Sequence, residues 1–169
     1  NGGKSTLLDA IALVIDSDKS KRLSAWDFHQ GFDLGALKQT PPSVEISLYI
    51  SLSDNEDYNS SDVALFSSYA TELSPKLESC LTYVFYLPNS EHQSYQEIAA
   101  KACDTLDVIK IIENNFIRKY TYSIYGGISS LHQTVSSDDL RKIDFQKVDA
   151  LRNVESDLFS KRADLLHSV

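Results

Sequence analysis

The sequence has no methionine and only two cysteines among its 169 residues. Since no initiator residue is present, we expect this chain to be a piece of a longer protein. Cys80 and Cys103 form neither a Cys-x-x-Cys pair nor a metal-binding spacing. We interpret them as ordinary apolar or half-buried thiols, which suits a reducing compartment and a cytoplasmic location.

Basic residues are also scarce. The chain has 16 lysines and arginines against 24 aspartates and glutamates, which gives a formal net charge of -8. This balance argues against non-specific nucleic-acid binding by this segment, because neutralising phosphates requires clustered cations. The four histidines are scattered without a metal-binding spacing. No apolar run approaches membrane-spanning length, so we expect no membrane partner.

What is present fits one globular domain, since the chain is 42% hydrophobic and long enough to bury a core. Alternating apolar residues predict strands at 44–50 and 81–87, and a further strand over 116–124. Helical spacing of apolar residues predicts helices at 6–15, 94–115 and 144–168. The stretch 16–42 is polar and predicts a long loop, and 62–77 favours a helix that ends near Ser74-Pro75.

These elements predict a mixed α/β (α+β) fold. We expect a single partial domain, 1–169, in which the first helix is followed by strands mixed with helices. Its sheet would be completed by strands outside this chain, and the long helix 144–168 would lead to a further segment.

The strongest functional signal is the opening stretch Asn1-Gly2-Gly3-Lys4-Ser5-Thr6. It matches the end of the phosphate-binding loop G-x-x-x-x-G-K-[ST], whose leading glycine would precede the chain. The two glycines allow a tight turn whose N–H groups face inwards and bind an anion. Lys4 would reach the β- and γ-phosphates of ATP, and Ser5 would hold Mg²⁺. Thr6 would begin a helix whose N-terminus attracts the negatively charged phosphates. A glycine-rich turn before a core helix is the plain structural alternative.

The stretch NGGKSTLLDAI resembles the Walker A motif of ABC-type ATPases related to the SMC and RecF proteins. The stretch VDALRNVESDLFSKRADLL, residues 148–166, resembles a segment of the overcoming-lysogenisation-defect (OLD) family that runs DALR-x-x-E/D-x-D-L-F-x-x-R. The stretch WDFHQGF resembles the Asp-Phe that these proteins often carry after the P-loop helix.

The resemblance implies a truncated ABC/SMC-like P-loop NTPase head lobe, with antiparallel strands and a long C-terminal helix, ahead of a Toprim nuclease domain. It implies ATP and Mg²⁺ as cofactors, DNA as a partner through the parent protein, and a homodimer or higher homo-oligomer. Some members act in phage defence with a helicase or reverse-transcriptase partner.

The resemblance also assigns residues. The stretch Asn1 to Thr6 would bind the nucleotide, and Asp27 or Gln30 would occupy a Q-loop-like position near the γ-phosphate or Mg²⁺. The stretch DFHQG is equally compatible with an ordinary turn. The ABC signature, the Walker B acids and the Toprim carboxylates would lie beyond Val169. We therefore expect no catalytic residue within this chain, weak ATP binding at best, and no ATPase activity of the chain alone.

Three hypotheses for the function follow from these patterns. The parent is an SMC-like ATPase that regulates DNA cleavage by a downstream Toprim domain, which is the reading we favour. Alternatively, it is a RecF- or SMC-like DNA-repair ATPase without a nuclease. In the third hypothesis, the chain is a non-catalytic interaction fragment whose phosphate loop is truncated or vestigial.

Overall fold

The computed structural model describes residues 2–29, 31–51, 66–72, 78–127 and 133–142. The helices in these ranges are α1 (Gly2–Ile15), α2 (Leu34–Gln39), α3 (His92–Ala99), α4 (Thr105–Ile111) and α5 (Ser137–Arg141). Single turns of other helix types lie at Ala25–Asp27, Asn89–Glu91 and Ile112–Phe116, the last being a π-helix. The strands are β1 (Val44–Ser51), β2 (Ala70–Glu72), β3 (Glu78–Tyr86), β4 (Thr121–Gly126) and β5 (Gln133–Thr134).

The described strands form one antiparallel sheet with β3 inside it. On one side β3 pairs with the whole length of β1, from Val44 opposite Phe85 to Ser51 opposite Glu78. On its other side β3 pairs first with β2 and then with β4, and β5 follows β4. The prediction of a mixed α+β chain is confirmed, with all of the described strand pairs antiparallel.

Strand positions follow directly from the side-chain alternation. In β1 every second residue from Val44 to Ile50 is half-buried, and the residues between them are exposed. The central strand β3 buries Leu81, Tyr83 and Phe85 completely. The strand predictions at 44–50 and 81–87 are therefore confirmed. When every second residue of a strand is apolar, a shift of the pairing register by one residue would turn the apolar face towards solvent.

The predicted helix over 94–115 is wrong as a single element. The structure has α3, a break, α4 and then the π-helical turn. The Asp104 carboxylate accepts the N–H of Asp107 at 2.8 Å, and the Asp107 carboxylate accepts the N–H of Cys103 at 3.0 Å. This reciprocal pair starts a new helix at Thr105, because it satisfies backbone donors that the first turn leaves open.

Three further expectations need correction. The strand predicted over 116–124 is wrong at its start, because Phe116 belongs to the π-helical turn and β4 begins at Thr121. The helix predicted over 62–77 is wrong at Ala70–Glu72, which form β2, while 62–65 and 73–77 lie outside the described residues. The predicted loop 16–42 contains α2, whose first turn is capped by Asp33. The long helix predicted at 144–168 lies outside the described residues.

Three buried tyrosines fasten the segment 16–43, which connects α1 to β1. The hydroxyl of Tyr83 donates to the carbonyl of Lys21 at 2.5 Å. The hydroxyls of Tyr95 and Tyr120 donate to carbonyls later in the same segment, those of Leu37 at 2.7 Å and Pro42 at 3.0 Å. We call these residues the three tyrosine anchors. They satisfy backbone acceptors in a segment that has few ladder partners of its own.

Aromatic packing joins the same segment to the sheet. Phe28 lies 6.2 Å from Phe85 and 5.3 Å from Tyr120, between ring centroids, and Tyr120 in turn lies 5.2 Å from Phe85. All three rings are at most 2% exposed. Contacts of this geometry add to the free energy gained by burying the rings alone.

A polar cluster around Asp139 holds α5 against the sheet. The carboxylate accepts hydrogen bonds from the Lys142 ammonium at 2.7 Å, the Tyr69 hydroxyl at 2.8 Å and the Ser136 hydroxyl at 2.8 Å. These three donors, Lys142 first, lower the pKa of Asp139 to about 2. Burial and the bond to Asp139 raise the pKa of Tyr69 to about 12.

No helix in the described ranges has both the length and the apolar character needed to cross a membrane. Cys80 is buried and Cys103 is exposed, and both are free thiols.

Candidate functional site

The predicted phosphate-binding residues form the beginning of α1. The helix starts at Gly2, four residues earlier than the sequence predicts, so Gly2 and Gly3 are helical and the predicted tight turn at these two residues is wrong. Gly3, Lys4, Ser5 and Thr6 are all exposed. A Cβ placed on Gly3 would meet nothing within 4 Å. Asn1 lies outside the described residues.

This end of α1 has the chemistry of an anion site. The first four N–H groups of an α-helix have no acceptor within the helix, and the helix dipole adds partial positive charge there. The exposed Lys4 side chain adds an ammonium, and Ser5 adds a hydroxyl. In the described part of the chain, no group of three or more His, Cys, Asp or Glu could hold a metal ion. Ser5 is the motif residue predicted to offer an oxygen ligand to Mg²⁺.

The burial of α1 is uneven along its length. Leu7 is 62% exposed and Leu8 is 37% exposed, whereas Ala12, Leu13 and Val14 are buried. The expectation of a buried helix is thus confirmed for its second half and wrong for its first. The exposed half is the half that carries the motif.

Asp27 has a local role in the structure. Its carboxylate accepts the N–H of Ser24 at 2.8 Å and the hydroxyl of Ser24 at 2.9 Å. These bonds cap the short turn Ala25–Asp27, which is the ordinary-turn alternative for this stretch. Gln30, the other residue predicted for a Q-loop-like position, lies outside the described residues.

Two lysines of the following segment fasten the second half of α1, Lys21 close to its C-terminal end. The Lys19 ammonium forms an ion pair with the Asp9 carboxylate at 2.7 Å. The Lys21 ammonium donates to the carbonyl of Ala12 at 3.0 Å, and Lys21 is only 7% exposed. A cation is favourable at this end of a helix because the carbonyls there carry partial negative charge.

Sequence reasoning missed a cleft beside these lysines. It has a volume of about 540 Å³. We call it the basic cleft, and its lining comes from the segment after α1, from β4 and β5, and from α5: Ser17, Lys19, Ser20, Lys21, Arg22, Tyr122, Ser123, Ile124, Thr134, Val135, Ser137, Leu140 and Arg141. The signal was available in the stretch Lys19-Ser20-Lys21-Arg22, which has three basic residues in four within an acidic chain.

Burial changes the acid–base behaviour of one cleft residue. Desolvation lowers the pKa of the Lys21 ammonium below its usual value, and the nearby Asp16 carboxylate opposes that shift. In the described residues no carboxylate lies within ion-pairing distance of Lys21. The charge of Lys21 is therefore only partly compensated by the protein.

Comparison of the chain with protein-family models, with curated proteins and with solved structures gave no match.

Proposed function

We propose that the exposed beginning of α1 binds the phosphates of ATP, and that this chain is the ATP-binding part of an SMC-like ATPase. In this proposal ATP binding regulates DNA cleavage by a Toprim nuclease domain that follows in the parent protein. The observation that carries the ATP site is the placement of Gly3, Lys4 and Ser5 in the first turn of a helix whose beginning is open to solvent.

Each group has a defined task in this proposal. The free N–H groups of the first turn donate to phosphate oxygens, and the helix dipole favours their negative charge. The Lys4 ammonium balances charge on the β- and γ-phosphates. The Ser5 hydroxyl is one oxygen ligand for the Mg²⁺ that accompanies ATP. The exposure of all three residues leaves room for a ligand that is as large as ATP.

The nuclease part of the proposal is supported by the resemblance of residues 148–166 to the OLD family, and these residues lie outside the described ranges. From the same resemblance we propose homodimers or higher homo-oligomers of the parent protein, DNA as its substrate, and a role in phage defence. A helicase or reverse-transcriptase partner belongs to the same proposal.

The ATP site is testable on the chain itself by amide NMR during titration with Mg-ATP. We expect the largest shifts at the amides of Gly3 to Thr6, with a dissociation constant of about 1 mM or weaker. Lys4→Ala should reduce these shifts, because it removes a phosphate-binding charge from an exposed position where folding does not need it.

The matched control is Lys101→Ala, which removes the same charge from an exposed residue between α3 and α4. ATP shifts that avoid α1, or that respond equally to both substitutions, would contradict the proposed site. In the parent protein Lys4→Ala should abolish ATP hydrolysis and, with it, the ATP dependence of DNA cleavage. Unchanged turnover there would refute the ATPase assignment.

A further inference from the structure

The basic cleft is separate from the proposed ATP site. It lies at the opposite end of α1, where Lys21 binds the carbonyl of Ala12. Ala12 lies nine positions after Gly3, which corresponds to about 14 Å along a helix axis. A ligand of the cleft would therefore be a different molecule, or a distant part of a long one.

The composition of the cleft is unusual for this chain. Its lining contains four basic residues and no aspartate or glutamate among the described residues, although the whole chain has a formal net charge of -8. Five serine and threonine hydroxyl groups from Ser17, Ser20, Ser123, Thr134 and Ser137 complete its polar surface. Cations together with hydroxyl donors are the groups that bind phosphate oxygens.

Two of the four cations have no carboxylate partner in the described residues. Lys19 pairs with Asp9 and Arg141 pairs with Asp138, each across a single ion pair. Arg22 is exposed, and among the described residues its guanidinium makes two long contacts of 3.5 Å, both to backbone carbonyls.

Lys21, like Arg22, has no carboxylate partner among the described residues. It is buried, and its ammonium donates a hydrogen bond to the carbonyl of Ala12. A buried ammonium whose charge is only partly compensated is costly. An anion held in the cleft would offset that cost.

An aromatic ring borders these cations. Tyr122 is 45% exposed and lines the cleft. Its ring is stacked on Tyr83 at a centroid distance of 6.1 Å, and the Tyr83 hydroxyl in turn binds the carbonyl of Lys21. The ring and the cationic segment are thus held by the same buried residue. An exposed ring beside a phosphate-binding group is suited to stacking with a nucleobase.

We infer that the basic cleft binds a phosphate ester of a nucleoside, with the phosphate at Lys21 and Arg22 and the base against Tyr122. The ester belongs either to a free nucleotide or to a nucleic-acid strand, since both present the same two groups. This site does not depend on the proposed ATP site, because it uses none of its residues.

Amide NMR of the chain, titrated with inorganic phosphate, thymidine monophosphate and a short oligothymidylate strand, tests the inference. We expect shifts at Lys21, Arg22 and Ser123 with each probe below about 10 mM. Tighter binding of the strand than of the monophosphate would identify nucleic acid as the source, and the reverse order would identify a free nucleotide. In both cases the inference requires that the monophosphate binds more tightly than inorganic phosphate, because the base adds a contact with Tyr122.

Substitutions separate the cleft from general charge effects. Arg22→Ala should weaken binding of all probes by about fivefold, because one charge-assisted contact is lost from a solvent-accessible site. Lys101→Ala removes a positive charge from an exposed residue outside the cleft and should leave binding unchanged. Tyr122→Leu should make the affinities for the monophosphate and for inorganic phosphate equal, because the stacking contact with the base is lost.

Three results would overturn the inference: no shift in the cleft, equal losses in the Arg22 and Lys101 variants, or shifts confined to Gly3–Thr6. The last result would leave the proposed ATP site intact. Conversely, shifts in the cleft here, together with no shift at α1 in the Mg-ATP titration, would support the inference while the ATP proposal failed.

Discussion

Replacing Tyr120 with phenylalanine isolates the contribution of one tyrosine anchor. Tyr120 is 1% exposed, and its ring packs between Phe28 and Phe85. Phenylalanine keeps that ring and removes only the hydroxyl. The carbonyl of Pro42 then loses a hydrogen bond of 3.0 Å in a buried place.

The cost follows from the hydrogen bond alone. A neutral hydrogen bond contributes about 1 kcal/mol net, and leaving its buried acceptor unpaired raises the loss to about 1–3 kcal/mol. For a domain of this length each kcal/mol lowers the melting temperature by about 2–4 °C. We therefore expect Tyr120→Phe to melt several degrees below the wild type.

Urea denaturation and amide hydrogen exchange measure this effect. We expect a lower urea midpoint and faster exchange confined to the segment 16–43, because the lost bond fastens that segment. The control is Tyr49→Phe in β1, since Tyr49 is 73% exposed and makes no hydrogen bond with a described residue. It should change stability by less than about 0.5 kcal/mol. Equal stability of the Tyr120 variant and the wild type, or an equal loss in the control, would refute the assigned role of the hydroxyl.

Three further predictions concern other parts of the fold. The folded pKa of Asp139 lies near 2, below its ordinary value, so its stabilising effect is present above about pH 4 and is lost as the pH falls towards 2. The Asp139→Asn variant should therefore lack this loss of stability between about pH 4 and pH 2. Acid titrations of the variant and the wild type, followed by circular dichroism, measure the difference. Gly126→Ala should destabilise the chain in thermal melts, because the new Cβ would lie 2.1 Å from the Tyr69 ring; a melting temperature like that of the wild type would contradict this. Asp104→Ala should cost about 1 kcal/mol in urea titrations, because the N–H of Asp107 loses its acceptor, whereas Asp104→Asn should retain most of the stability.

The sequence predicts the strands of this fold better than its helices. The alternation in β1 and β3 identifies both strands within a few residues, because each face of a strand has one environment over its whole length. The prediction of a single helix over 94–115 is wrong for a local reason. The Asp104-Thr105-Leu106-Asp107 stretch contains a capping pattern, and apolar spacing continues across it without interruption.

The two candidate sites also differ in how readily the sequence locates them. The stretch Gly3 to Thr6 is contiguous, so a motif is sufficient to locate it. The basic cleft combines the segment after α1 with Tyr122, Ser123 and Arg141, which are about a hundred residues away in sequence. Their proximity depends on the pairing of β3 with β4, and no local pattern reports that pairing. The stretch Lys19 to Arg22 was visible in the sequence, but its burial and its neighbours were not.

The tyrosine anchors also connect distant parts of the chain. They join residues that are 62, 58 and 78 positions apart along the chain. Closing such long loops costs entropy, so we expect the segment 16–43 to dock after the elements that carry the tyrosines have assembled. The motif at the start of α1 needs only a local helix, whereas the basic cleft exists only in the completed domain. A ligand of the cleft would therefore bind native chains selectively and raise their melting temperature as its concentration increases.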